Sequence, residues 1–222
     1  MAAHSSQLTF PIAELMNIFK RPLIGYATTS VSLSDKRLHP YFLRTVPPDD
    51  IQVVLMLQVM KQFGWDYASI IYTNSGYGIS ARDALIRQAA FANLKTCVGV
   101  GHALAYSTSL TEVEEILVSL SQKVGSRVVI LFTDPAHSRL ILQATKNKGL
   151  TGRFVWLASD YWANSMEIVQ GYEEEAVGAL TVQIRSEFVQ SFNNFMMNLN
   201  MTNRNGIPDD WFEEFYQTIH KC

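Results

Sequence analysis

Five polar residues spread along this 222-residue chain, Ser6, Thr29, Asp49, Tyr77 and Asp160, have the chemistry to hold a free α-amino acid by its backbone ends. Hydroxyls and free amides grip a carboxylate, while carboxylates and an aromatic face grip an ammonium, the face by a cation–π attraction of about 0.5 to 2 kcal/mol. Thr29 lies in Thr28-Thr29-Ser30, just after a strand-like run, and Asp160 follows another such run. Asp49 comes directly after Pro47-Pro48 and before a helix-like segment, a position favoured for a helix cap. Tyr77 sits in Asn74-Ser75-Gly76-Tyr77-Gly78, whose glycines permit a tight turn and close approach of a ligand. Ser5 and Ser6 precede a segment with Leu15, Ile18 and Phe19 at i, i+3, i+4, so either serine could cap that helix and leave its amides facing an anion. Thr9 is a rival cap, because Pro11 would delete a hydrogen bond, at about 3 kcal/mol, from the second turn of a helix begun at Ser6. Taken singly, each of the five is equally at home as a cap, a polar turn or a surface group.

The elements that must position them alternate along almost the whole chain. Runs at 23–27, 67–72, 95–101, 127–132, 154–158 and 178–184 are rich in branched and aromatic residues and predict strands. Between and after them, 51–63, 78–94, 110–124, 136–147, 187–199 and 211–220 carry helical periodicity. The apolar stripes are Val53, Met56, Leu57 and Met60 in one helix, Leu85, Ile86, Ala89 and Ala90 in the next, and Val113, Ile116, Leu117 and Leu120 in a third. Strands alternating with helices imply βαβ units and a parallel, doubly wound sheet, with ligands bound outside the carboxyl ends of the strands. The rigid pair Pro47-Pro48 marks a boundary between two lobes.

Composition removes several function classes. Eighteen basic and twenty acidic residues give a net charge of −2 without long runs of either sign, which offers nothing to nucleic acid or an anionic membrane. No Gly-x-Ser-x-Gly elbow or Walker loop occurs, and Gly99-Val100-Gly101 lacks the third glycine of a dinucleotide fingerprint, so neither an enzyme nor a cofactor is expected. Cys97 with His102, and His220 with Cys222, are pairs without the further ligands of a tetrahedral metal site. Asn200-Met201-Thr202 is an N-glycosylation sequon on a polar stretch, a sign of a secreted fate, although the chain shows no signal peptide or membrane-length apolar run.

Specific segments resemble the extracellular ligand-binding module of class C G-protein-coupled receptors, and the metabotropic glutamate receptors above all. They are Pro22 with Ile24 to Ser30, Leu33-Ser34-Asp35-Lys36, Tyr41 to Arg44 with Val46-Pro47, Gly64 to Tyr67, Gly76-Tyr77-Gly78, Ser159-Asp160, Trp162 and Gly171-Tyr172. The resemblance implies an α/β, bilobed, periplasmic-binding-protein-like (type I) clamshell with parallel sheets flanked by helices. Residues 1–46 and 182–222 would belong to a first, incomplete lobe and 47–181 to the second. Carried over position by position, Ser6 and Thr29 match residues on the amino acid's α-carboxylate, and Asp49, Tyr77 and Asp160 match its ammonium set. Closure of the lobes on the ligand would be the signal.

The same resemblance implies that Cys97 bridges to a cysteine-rich domain and Cys222 to a partner in its own lobe, both outside this sequence. It places Leu15, Ile18 and Phe19 on a homodimer patch, whereas periodicity alone allows them equally to face the core. The expected setting is the extracellular side of the plasma membrane, with a G protein engaged through a membrane domain beyond this fragment. Glutamate is the expected ligand by overall similarity, not by residues that read its side chain. Tyr161 stands where several glutamate receptors carry glycine, Ser165 where one subgroup uses arginine, and the basic residues that grip the distal carboxylate are not in this chain. The competing reading is a soluble periplasmic-type binding or sensor protein.

Overall fold

The structure, a computed structural model, describes residues 2–3, 5–91, 97–123, 125–163 and 165–220. Cys222 lies outside the described residues. The chain divides into two compact units, Met1–Ile184 and Arg185–Cys222.

The first unit holds two all-parallel sheets. The smaller is β1 (Ala2–Ala3), β2 (Leu23–Gly25) and β3 (Phe42–Arg44), side by side in that order. Helix α1 (Ser6–Ile18) packs on it, so that Ala13, Leu23, Leu33 and Phe42 form a small core with Phe10, Ile12 and Met16 at its margin.

The larger sheet is built from β4 (Tyr67–Thr73), β5 (Cys97–Leu104), β6 (Val128–Phe132), β7 (Val155–Ala158) and β8 (Leu180–Thr181), in the order β5-β4-β6-β7-β8. The two-residue period of a strand divides its side chains between two cores. Ala68, Ile70, Tyr72, Val128, Ile130, Phe132 and Leu157 face α2 (Asp49–Gln62) and α3 (Gly76–Phe91). Ile71, Val129, Leu131, Trp156 and Ala158 face α4 (Leu110–Ser121) and α5 (Pro135–Asn147). Both faces are covered, which is why β6 reads as a continuous apolar run and β4 as one interrupted only by the buried Ser69 before its last residue, Thr73. After β7 come three single-turn helices, α6 (Asp160–Ala163), α7 (Met166–Val169) and α8 (Glu173–Ala176).

This order reverses direction between β4 and β6, which opens a crevice at their carboxyl ends, the topological switch point where α/β folds bind ligands. The start of α3 and the cap of α5 both lie at that end.

Several expectations are corrected. Helix α1 does begin at Ser6 with Pro11 inside it; Pro11 is exposed, so the carbonyl it leaves unpaired can be hydrated. Ser5 occupies the N-cap position without a side-chain cap bond, and Thr9 is helical, its hydroxyl donating to the Ser5 carbonyl at 2.7 Å. Pro48 is the N-cap of α2, and Asp49 is its first helical residue. On α3 the buried face is Ala81, Ala84 and Leu85, with Ile86 half exposed and Ala90 outward, so the stripe is rotated from the one expected.

Strand β5 runs on to Leu104, and its register with β4 slips between Ala68 and Ile70, inserting a bulge at Gly99-Val100. A Cβ at Gly99 would lie 1.7 Å from the Tyr67 hydroxyl, so the first glycine of that pair serves strand packing. The strand expected over 178–184 shrinks to β8, since Gly178 turns to φ +80 just before it. Leu15, Ile18 and Phe19 are 51%, 76% and 62% exposed, which removes the core-facing reading of that stripe.

The second unit contains α9 (Gln190–Asn198) and α10 (Asp209–His220). Along α10, Trp211 and Phe215 stack at 5.6 Å between ring centroids. In the turn between the helices the exposed Asn200 side chain accepts from the Thr202 hydroxyl at 2.7 Å and the Thr202 N–H at 3.0 Å. Among the described residues no helix is long and apolar enough to cross a membrane.

Candidate ligand-binding site

Ser6, Thr29, Asp49, Tyr77 and Asp160 lie along one connected run of polar contacts in the first unit. Ser6, buried at the start of α1, accepts from the Ser30 N–H at 3.3 Å, so its hydroxyl serves the loop after β2 rather than its own helix end. In that loop the buried Thr29 carbonyl accepts from the Asp49 N–H at 2.8 Å, tying β2 to the first turn of α2. The Ser30 hydroxyl donates to the Gly76 carbonyl at 3.3 Å, and Ser80 Oγ accepts from the Val31 N–H at 3.0 Å, tying the same loop to α3.

Asp49 is wholly buried, and the dipole of α2 favours a negative charge in its first turn. One of its oxygens accepts from Gln52 Nε2 at 3.0 Å, but Oδ2 has no hydrogen-bond partner. The same Nε2 donates to Asp160 Oδ1 at 3.1 Å, and the Tyr77 hydroxyl donates to that oxygen at 3.2 Å. Gln52 closes the loop by accepting the Asp160 N–H at 3.2 Å.

The Tyr77 ring is fixed between Phe132, edge-on at 6.0 Å, and Tyr161, perpendicular to it at 5.0 Å. The turn that delivers Tyr77 needs its glycines: a Cβ at Gly78 would sit 2.1 Å from the Thr73 carbonyl oxygen and one at Gly76 2.4 Å from the Phe10 ring.

Electrostatically this is an acid cluster short of protons or cations. Burial, and then the neighbouring Asp160, push the Asp49 carboxyl up to about 8, against the pull of the Thr29 hydroxyl and the Arg44 guanidinium. Burial also raises Asp160, opposed by its hydrogen bonds from Gln52 and Tyr77. Burial and the two acids hold the Tyr77 phenol well above its usual value, and the same causes push Tyr161 up to about 12. A cation placed here would pull all four groups back down, against the burial that is the leading cause of each shift.

Four groups were not singled out by sequence reasoning. Gln52 was legible in principle, since Asp-x-x-Gln puts both side chains on one helical face. Arg44, at the end of β3, donates to the Ser30 carbonyl at 2.8 Å and to the Ser34 hydroxyl.

At the switch point, Asp134 caps α5 by accepting from the His137 N–H at 2.9 Å, with Pro135 following, a cap signature visible in the sequence. His137 meets Asp134 Oδ2 through Nδ1 at 2.9 Å and the Ala105 carbonyl through Nε2 at 3.0 Å. Asp134 and the Ala105 carbonyl offer acceptors to the two nitrogens, and the Thr73 hydroxyl also meets Nδ1 at 3.3 Å; the Asp134 hydrogen bond raises the imidazole above its usual value and outweighs burial. Burial resists ionisation of Asp134, but the His137 hydrogen bonds bring it below the usual carboxylate value.

The remaining expected positions are spread elsewhere. Cys97 is an exposed free thiol at the start of β5, and Asn200, Leu15, Ile18 and Phe19 are exposed. Ser165 is the N-cap of α7. Among the described residues no group of three His, Cys, Asp or Glu is placed to hold a metal.

Residues 1–214 match the family described as receptor family ligand binding region. The chain belongs to that family. The fold of this ligand-binding region is accordingly periplasmic-binding-protein-like, mixed α/β with parallel sheets flanked by helices. The metabotropic glutamate receptor of Drosophila melanogaster is 34% identical to it over 217 residues, 98% of this chain and 22% of the receptor. The ligand-binding region in hand thus spans well under half of that relative's length.

Proposed function

We propose that this chain is the extracellular amino-acid-binding part of a metabotropic-glutamate-receptor-like protein, with L-glutamate its ligand. The observation that carries the reading is the unpartnered, buried Asp49 Oδ2 beside Asp160 and the Tyr77 ring, an arrangement that lacks a cation with N–H donors. Ser6 Oγ accepts from Ser30, which keeps its hydroxyl proton for a ligand oxygen, and Thr29 lies between that hydroxyl and Asp49. Ser6 and Thr29 then take the α-carboxylate, and Asp49, Tyr77 and Asp160 the ammonium. The identity to the Drosophila receptor supports a receptor over a free binding protein.

In this reading residues 1–46 and 182–222 form one lobe and 47–181 the other; the separation of the three-stranded sheet (within 2–44) from the five-stranded sheet (within 67–181) supports the boundary near residue 47. The ligand stabilises the closed state because only there can it bond to the Ser6 and Asp160 sides together, and a membrane domain elsewhere in the protein passes closure to a G protein. The exposed Leu15, Ile18 and Phe19 pair with a second copy, Cys97 and Cys222 bridge to cysteines outside this chain, and Asn200 carries a glycan on the outer face of the plasma membrane.

The test is calorimetry with L-glutamate on the full-length protein. Asp160→Ala or Tyr77→Ala weakens binding about tenfold or more, about 1.4 kcal/mol. Unchanged affinity in both variants would sink the assignment.

A further inference from the structure

Gln52 lies one helical turn after Asp49 on α2 and is 3% exposed, and both heavy atoms of its amide are engaged. Nε2 donates to Asp49 and to Asp160, and Oε1 accepts the Asp160 N–H. Two carboxyl groups brought together away from water repel unless something donates to both, and a single –NH2 does so here with one proton for each.

A lysine or arginine in this position would neutralise the pair and compete with an incoming ammonium. An apolar side chain would leave the acids protonated and free to turn. A neutral amide does neither: it favours the ionised form without cancelling the charge.

We infer that Gln52 is the positioning residue of the ammonium site: its amide fixes Asp49 and Asp160 as one unit and leaves Asp49 Oδ2 as the acceptor held for the ligand. This rests on the amino-acid reading above and adds a residue that acts on ligand through the two acids. The groups bearing on the pair are Arg44 from β3, Asp50 from α2, Tyr77 from α3 and Tyr161 from α6, with the Thr29 hydroxyl. All of them stay in place when Gln52 alone is changed.

The experiment compares wild type, Gln52→Met and Gln52→Glu in the full-length protein. L-Glutamate affinity is read by calorimetry, and ligand-free thermal stability is followed from about pH 5 to about pH 9. Met keeps the volume and removes both donors, so affinity falls about tenfold or more. Without those donors both acids hold their protons to higher pH, and the alkaline fall in ligand-free stability moves upward. Glu adds a third acid, and the fall becomes steeper.

An unmoved pH profile in both variants, with or without an affinity loss, means that Gln52 only fills space and overturns the inference. Should the Met variant not fold, the Glu profile decides. Should wild type not bind L-glutamate, the proposed ligand fails while the ligand-free profiles still judge Gln52.

Discussion

The Tyr77 hydroxyl donates to Asp160 Oδ1 at 3.2 Å across 83 positions of sequence, joining the turn after β4 to the turn after β7. The bond separates two jobs of one residue. Tyr77→Phe keeps the ring between Phe132 and Tyr161 and removes only the donor, so stability falls by about 1 to 2 kcal/mol and L-glutamate affinity drops less than in Tyr77→Ala. Equal losses in the two variants, measured by calorimetry and thermal melts, would assign all of the effect to the hydroxyl.

Asp49 makes the ligand-free protein sensitive to alkali. Its carboxyl is raised from an ordinary 3.8 to about 8 by burial and by Asp160, so the folded state prefers the protonated form. The stability tied to that proton is fully present below about pH 4 and is lost as pH rises through about 8. Asp49→Asn, which can still offer an oxygen to Gln52, flattens the midpoint-versus-pH curve over that window. A curve as steep as wild type would show that Asp49 is ionised throughout.

The His137–Asp134 pair acts on both flanks of the profile. His137 is raised above its usual 6.5, so its contribution is complete below about pH 6.5 and lost as pH climbs through the raised value. Asp134 is lowered, so its contribution is present above about pH 4 and lost on further acidification. His137→Ala costs about 1 to 3 kcal/mol at about pH 5.5, since it removes the ring donor from Asp134 Oδ2, which keeps only the long 3.5 Å bond from Thr73, and from the Ala105 carbonyl, which keeps the Thr108 N–H, and costs less at about pH 9. Chemical denaturation at the two pH values checks it.

Gly78 and Gly64 answer differently to the same substitution. A Cβ at Gly78 meets the Thr73 carbonyl oxygen at 2.1 Å, backbone that cannot step aside, so Gly78→Ala destabilises by about 3 kcal/mol or more. Gly64 has φ +65 and nothing within 4 Å of a built Cβ, so Gly64→Ala costs only the left-handed strain, about 1 to 2 kcal/mol. Urea titrations of the two variants give the comparison.

The sequence by itself determined the elements and their layers. The apolar run of β6 and the nearly continuous one of β4 require cover on both faces, and Val53, Met56, Leu57 and Met60 recur at helical spacing, so a parallel sheet between helices follows from local period and burial. The five polar positions were legible as chemistry, each at an element boundary, but not as neighbours. Only the tertiary structure decided that Ser6 bonds to Ser30 instead of capping α1, that Ile86 turns outward, and that Gln52 reaches Asp160 across 108 positions. Those outcomes depend on strand order and on the rotation of each helix about its axis. Both are set by contacts between distant segments, which no local period encodes.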